Sequence, residues 1–121
     1  MNWNYLLMTK IRQFDIWLAN LNPSRGTEAG KVRPVVIVQT DLLNHVHPST
    51  LICPVTSKVN LGIKLLRVNI PKGQLDLASD VLVDQVRAID NKRLINKIGE
   101  LTSTQQQKLK QNLAIVFDLY S

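Results

Sequence analysis

Arg33 stands directly before Pro34 and five residues after Glu28, at the end of the segment Gly26-Thr27-Glu28-Ala29-Gly30-Lys31-Val32. A carboxylate and a permanent cation this close offer an acid–base group beside a phosphate grip. The guanidinium fork holds two phosphate oxygens and holds them more tightly as negative charge builds in a transition state. The same pair fits a structural role in which Arg33 is salt-bridged to Glu28 or Asp15. Thr56-Ser57-Lys58 ends an apolar run, and two hydroxyls and an ammonium at a strand end suit a phosphate oxygen. A polar strand terminus has the same composition. Asp84-Gln85-Val86-Arg87, with Asp90, is the third group. There Gln85 and Arg87 alternate onto one strand face, open either to RNA or to cross-strand pairing.

Other reactive types carry weaker signals. His45 and His47 sit two apart in a polar stretch without cysteine or a clear acidic partner, which reads as solvated loop rather than metal site. Cys53, inside Leu51-Ile52-Cys53-Pro54-Val55, reads as a buried thiol rather than a nucleophile. Trp3 and Trp17 have faces on which bases stack, but Trp17 lies in a strand and reads as packing.

The elements that must position these residues are short and punctuated by turn residues, as in a compact β-rich domain. Asp15–Leu21 reads as a strand, with Phe14, Ile16 and Leu18 on one face and Trp17 and Ala19 on the other. Residues 22–31 form a long loop, and long loops in small domains carry function. Pro34–Thr40 is a second strand whose run Val35-Val36-Ile37-Val38 lacks alternation, so both faces are buried. A polar excursion over Asp41–Ser49 follows. Thr50–Ser57, Ile63–Ile70, Asp80–Ile89 and Leu94–Leu101 complete the strands, with Pro71–Ser79 as a further loop. The chain ends in a helix opened by a capping box, at Thr102 with Gln105 or at Thr104 with Gln107. Leu109, Leu113, Val116, Phe117 and Tyr120 form its apolar stripe, with Gln106, Lys108, Lys110 and Asn112 on its solvated face. The expected fold is mainly β, an antiparallel sheet curled into a small barrel and closed by the C-terminal helix. Loops gather at one rim of such a barrel.

The chain has 121 residues, enough for one domain with a real core; residues 1–11 read as an N-terminal extension. Met8 is an alternative start, and an intact mass lacking residues 1–7 would show it. Aromatics make up only 5% against 45% apolar residues, so the core rests on Val, Ile and Leu. The net charge is +6, from 15 basic and 9 acidic residues, which favours a polyanionic partner, nucleic acid first. The basic residues are scattered rather than set along one amphipathic helix, which argues against a membrane surface. The single cysteine excludes an internal disulfide and points to a reducing compartment. No run approaches the roughly 20 apolar residues of a membrane span, and Tyr5-Leu6-Leu7-Met8 is too short for a signal core. The chain reads as cytoplasmic.

Three stretches together resemble the MazF/PemK toxins. They are Asp15-Ile16-Trp17 with Asn22-Pro23, Gly26-Thr27-Glu28 and Arg33-Pro34-Val35-Val36-Ile37-Val38; the strand ending in Thr56-Ser57; and Val81-Leu82-Val83-Asp84-Gln85-Val86-Arg87 with Asp90 and Arg93-Leu94. The likeness runs from about Arg12 to Leu119, and the Glu-x4-Arg-Pro spacing is its most specific element. Two positions depart from the pattern. Phe14 replaces the glycine that usually precedes the aspartate, and Val32 stands where some members have histidine. The loops Asn60–Lys64 and Pro71–Ser79, where sequence specificity would lie, match no motif.

The resemblance implies an SH3-like antiparallel β-barrel, a homodimer, and a cognate antitoxin that covers the RNA site and is the only route to DNA. It implies a sequence-specific endoribonuclease that cuts single-stranded mRNA without metal or other cofactor. The 2′-hydroxyl would attack phosphorus and expel the 5′-oxygen. Arg33, Thr56 and Glu28 would be catalytic: Arg33 stabilises the phosphorane with help from Thr56, and Glu28 takes the proton. A guanidinium is a poor proton donor, with a reference pKa above about 12, so the general acid stays unassigned. Ser57, Lys58, Gln85, Arg87, Lys31 and Arg25 would contact RNA. Two alternatives share the barrel: a gyrase-binding toxin resembling CcdB, without nuclease activity, and a non-catalytic RNA-binding barrel.

Overall fold

The computed structural model describes residues 10–23, 26–27 and 30–119. Its elements among the described residues are, in chain order, β1 (Asp15–Asn20), β2 (Val32–Ile37), α1 (Asp41–Asn44), β3 (Ser49–Thr56), β4 (Arg67–Ile70), β5 (Ser79–Leu82), β6 (Arg87–Asp90), β7 (Leu94–Glu100) and α2 (Ser103–Val116). The strands form one antiparallel sheet in the order β4-β5-β3-β2-β1-β7, with β6 also on β3. The mainly-β fold with one C-terminal helix is as expected. Among the described residues the end strands β4 and β7 do not pair with each other, so the barrel is an open, curled sheet rather than a closed cylinder. Register shifts in the β1–β7 ladder supply bulges of the kind that bend a sheet.

The central strands are buried on both faces. Ile16, Val36, Cys53, Val55, Val68, Ile70 and Val81 pack with Leu109 of α2 in one core; Trp17, Ala19, Val35, Ile37, Ile52 and Leu94 form the other. This matches the alternation in β1 and its absence in β2.

Four expectations need correction. The strand over Asp80–Ile89 is broken at Val83–Gln85 by a 3-10 turn. The Leu51 carbonyl accepts from Val38 N on the β2 side, so by alternation Pro54 turns its backbone toward the other neighbour. Proline has no N–H for that ladder, and the gap in pairing falls between β5 at Val55 and β6 at Ile52. Second, β4 begins at Arg67 rather than Ile63, because Asn60 closes a turn by accepting from Gly62 N at 3.1 Å and, on its carbonyl, from Ile63 N at 3.2 Å. Third, the excursion after β2 contains α1, capped by Thr40 accepting from Leu42 N.

Fourth, the α2 faces shift. Its capping box is Thr102–Gln105, not the later pair. Asn112 is buried and donates to the Arg67 carbonyl, and Gln106 donates to the Leu101 carbonyl, so neither belongs to a solvated face. Leu109, Leu113 and Val116 face the core, but Phe117 is exposed. The helix ends at Phe117: Asp118, at φ 55°, donates to the Ile115 carbonyl, and Leu119 to that of Ala114, a Schellman closure. Tyr120, Trp3 and the proposed start at Met8 lie outside the described residues. Among those described, no helix is long and apolar enough to cross a membrane.

Candidate nucleic-acid interface

Arg33 owes its position to the closure of the loop before it. Leu21 N donates to the Lys31 carbonyl at 2.8 Å, and Lys31 N donates to Asn22 Oδ1 at 2.7 Å. Lys31 takes a left-handed φ of 68°, which turns the chain into β2 and sets Arg33 opposite Ala19. Arg93 braces the other side of the loop, donating to the carbonyls of Asn20 and Asn22 at 3.1 and 2.7 Å. Arg33 is half-buried, and its Nε donates to the Gly30 carbonyl at 2.7 Å. Among the described residues neither of its terminal nitrogens has a partner. The alternative salt bridge to Asp15 does not form: that carboxylate takes Lys97 Nζ, Trp17 Nε1 and Arg12 N.

Thr56 ends β3 opposite Asp80. Its Oγ1 accepts from Lys58 N at 3.1 Å, which leaves its O–H free to donate. The segment after it is tied down by Asp80, which is 1% exposed. Asp80 receives Arg67 Nη1 at 3.1 Å, Asn60 N at 2.9 Å and Asn69 Nδ2 at 3.2 Å. The same Arg67 nitrogen donates to the Lys58 carbonyl. A buried carboxylate saturated by donors therefore fixes the backbone that carries Ser57 and Lys58.

These two strand ends meet at one cavity of about 770 Å³. Lys31, Arg33, Thr56, Ser57, Lys58 and Gln85 all line it. Three groups separated in sequence thus share one surface. Arg87 does not line it, because the break at Val83–Gln85 puts Gln85 in the turn and Arg87 on β6, opposite Ile52. The expected shared face of Gln85 and Arg87 is thereby corrected. Arg25 and Glu28 lie outside the described residues. Sequence reasoning missed Gln74, Asp76 and Leu77 of the loop before β5, and Leu18 and Ile98 on the strands. The signal for the loop residues was the resemblance, which puts sequence specificity in Pro71–Ser79 without marking a residue there.

The cavity's described charges are Lys31, Arg33 and Lys58 against Asp76. Excess positive charge around a half-open cavity suits a phosphodiester chain. The other reactive types are occupied elsewhere. Cys53 is fully buried, and burial, followed by the Asp84 charge, pushes its thiol up to about 12, so it is no nucleophile. His45 Nε2 lies 2.6 Å from Arg12 Nη1, and His47 Nδ1 accepts from Ser49 N at 3.2 Å. Trp17 is buried and offers no stacking face. Among the described residues no group of three or more His, Cys, Asp or Glu could hold a metal.

Solved structures share this architecture. MazF from Deinococcus radiodurans matches with a TM-score of 0.78 at 22% identity, covering 89% of this chain and 96% of that one. The Mycobacterium tuberculosis toxin MazF-mt6 matches with a TM-score of 0.74 at 25% identity, covering 88% and 99%. An endoribonuclease in complex with its cognate antitoxin from a mycobacterial species matches with a TM-score of 0.71 at 17% identity, covering 92% and 96%. The family model for the PemK-like, MazF-like toxin of type II toxin–antitoxin systems spans residues 12–117, from the turn before β1 to the cap of α2 and every described cavity residue between. With that span matched and the fold shared, the chain belongs to the PemK-like, MazF-like toxins of type II toxin–antitoxin systems.

Proposed function

We propose that this toxin is an endoribonuclease that cleaves single-stranded RNA by attack of the neighbouring 2′-hydroxyl on phosphorus. The observation that carries this reading is that Arg33, whose terminal nitrogens have no partner among the described residues, lines the same cavity as Thr56, Ser57 and Lys58. The attacking oxygen bonds to phosphorus, the bond to the 5′-oxygen then breaks, and that oxygen takes a proton from water, giving a cyclic phosphate and a 5′-hydroxyl. Charge gathers on the non-bridging oxygens of the pentacoordinate intermediate. Arg33 faces that charge with two nitrogens that have no partner among the described residues, and Thr56 adds an O–H donor. Glu28 is the proposed acceptor of the 2′-hydroxyl proton. Lys31, Ser57, Lys58 and Gln85 hold the strand, joined by Arg87 from beyond the cavity lining and by Arg25. The requirement for a 2′-hydroxyl confines cleavage to RNA.

We further propose a homodimer as the working unit, located in the cytoplasm, and a cognate antitoxin as the protein partner. The antitoxin complex among the structural relatives supports the last of these. The test is incubation of the purified protein with single-stranded RNA, with and without EDTA, and mapping of the ends. Cyclic phosphate and 5′-hydroxyl ends that persist in EDTA are expected. Intact RNA, or complete inhibition by EDTA, overturns the mechanism.

A further inference from the structure

Asp76 sits where its charge is wrong for a phosphate. It is the only acidic side chain among the described residues of the cavity, which otherwise carries Lys31, Arg33 and Lys58. It is exposed, and among the described residues its carboxylate has no hydrogen bond or ion pair. The loop that holds it is nonetheless fixed on both sides. Gln74 Nε2 donates to the Glu100 carbonyl at 2.9 Å and to Gln105 Oε1 at 2.7 Å, joining the loop to the capping box of α2. Gly73 N donates to the Leu75 carbonyl at 2.9 Å, and Ser79 Oγ to that of Leu77 at 2.9 Å. Gly73 has φ 108°, a conformation open to glycine, and a Cβ there would meet nothing within 4 Å, so the loop is unobstructed on that side.

A fixed loop that lines a cationic cavity with a carboxylate unpartnered among the described residues is built to accept hydrogen bonds from a ligand. The phosphate chain offers acceptors only. The donors of a single-stranded RNA, apart from its hydroxyls, are on the exposed base edges. Guanine, cytosine and adenine each carry an exocyclic amino group there. Uracil presents two carbonyls flanking one N–H, so a carboxylate beside it meets acceptor oxygens. Leu75 and Leu77, on either side of Asp76, give apolar surface for a base face.

We propose that Asp76 is a specificity-determining residue of this toxin, reading the amino-bearing edge of one base near the cleaved bond and rejecting uracil there. This rests on the RNA-cleaving reading above. The experiment maps cleavage ends in a random single-stranded RNA pool for the wild type and Asp76→Asn, which replaces one acceptor oxygen by a donor amide. At one position near the cut the wild type is expected to disfavour uracil by about tenfold or more, and the variant to lose that bias. In a cleaved oligonucleotide, replacing the preferred base at that position by its analogue without the amino group (inosine, purine riboside or zebularine) should slow the wild type by a similar factor and the variant by less. An unchanged base preference in the variant overturns the proposal while leaving the nuclease reading intact. Complete loss of cleavage by a folded Asp76→Asn protein also overturns it, because Asp76 would then serve the chemistry instead. A wild type that cuts no RNA overturns both.

Discussion

The ribbon of β1 and β2 carries a charged residue at each end, and the two ends are finished in opposite ways. Asp15, at the start of β1, is 2% exposed and receives Lys97 Nζ at 3.1 Å, Trp17 Nε1 at 3.2 Å and Arg12 N at 3.0 Å. Arg33, at the start of β2, lines the cavity and keeps one hydrogen bond among the described residues, from Nε to the Gly30 carbonyl. Both ends use a non-glycine residue in the left-handed region to turn the chain, Phe14 at φ 72° and Lys31 at φ 68°. The backbone devices are alike and the side-chain accounts differ. A charge surrounded by its own protein's donors holds the fold together, whereas a charge held at one nitrogen and open at the others is available to a ligand.

The strongest way to break this comparison is to truncate each charge in turn. Arg33→Ala should lower the RNA cleavage rate by about 10²–10³-fold, the range for losing a donor to a developing oxyanion. Its stability should fall by no more than about 1 kcal/mol, the worth of the single bond to Gly30. Cleavage assays paired with urea denaturation check both halves; full cleavage by the variant defeats the assignment of Arg33. Asp15→Ala should show the reverse. Trp17 Nε1 loses its partner in a buried site, Arg12 N loses its acceptor, and Lys97 keeps only the exposed Glu100 at 3.6 Å, so a loss of about 2–3 kcal/mol is expected. Cleavage per folded molecule should stay near the wild-type value. A large fall in activity with stability unchanged would reverse the roles of the two ends.

Much of this contrast was legible in the residues, but not all of it. Alternation in β1, its loss in β2 and the capping box of α2 are local patterns, and the structure follows them. The break at Val83–Gln85 is non-local: it answers to Pro54 on a neighbouring strand, which the Asp80–Ile89 stretch alone does not reveal. Asn112 looks polar and solvated by helical position, yet it is buried because the Arg67 carbonyl lies opposite. In the site, residue types marked Arg33, Thr56 and Gln85 individually. Their convergence required the strand order, since β2 and β5 lie on either side of β3. Asp76 was unreadable because one aspartate in a turn-rich loop resembles any other, and only its place in one cavity with three cations distinguishes it.

The two left-handed turns sharpen the comparison at a smaller scale. Glycine at Phe14 would relieve the backbone, since a side chain in that region costs roughly 1–2 kcal/mol. The ring, however, is buried in the core, and Lys110 Nζ lies 5.4 Å from its centroid. Phe14→Ala should therefore cost about 3–5 kcal/mol. Phe14→Gly should be milder than Phe14→Ala by about 1 kcal/mol, although glycine is ordinarily the less stable replacement. Thermal or urea unfolding of the two variants side by side decides it; an alanine variant as stable as the glycine one removes strain from the account of this turn.

The smallest effect is the alkaline dependence of the Asp15 end. The hydrogen bond from Lys97 to Asp15, with Glu100 adding to it, raises the lysine above its ordinary value of 10.5. A raised lysine stabilises the fold in full below the unfolded-state value, and the contribution disappears as pH climbs through the higher folded value. The ammonium is nearly half exposed, so the contribution is small. Cys53 imposes a separate alkaline loss on the whole protein, because the unfolded thiol ionises from about pH 9 while the folded one holds its proton to about 12. Comparing the wild type with Lys97→Gln cancels that shared term. The stability difference between the two should stay level to about pH 10 and shrink above it. A difference that holds level to pH 12 would mean that Asp15 is stabilised by Trp17 and the Arg12 amide alone, and the saturated end of the ribbon would then need no cation.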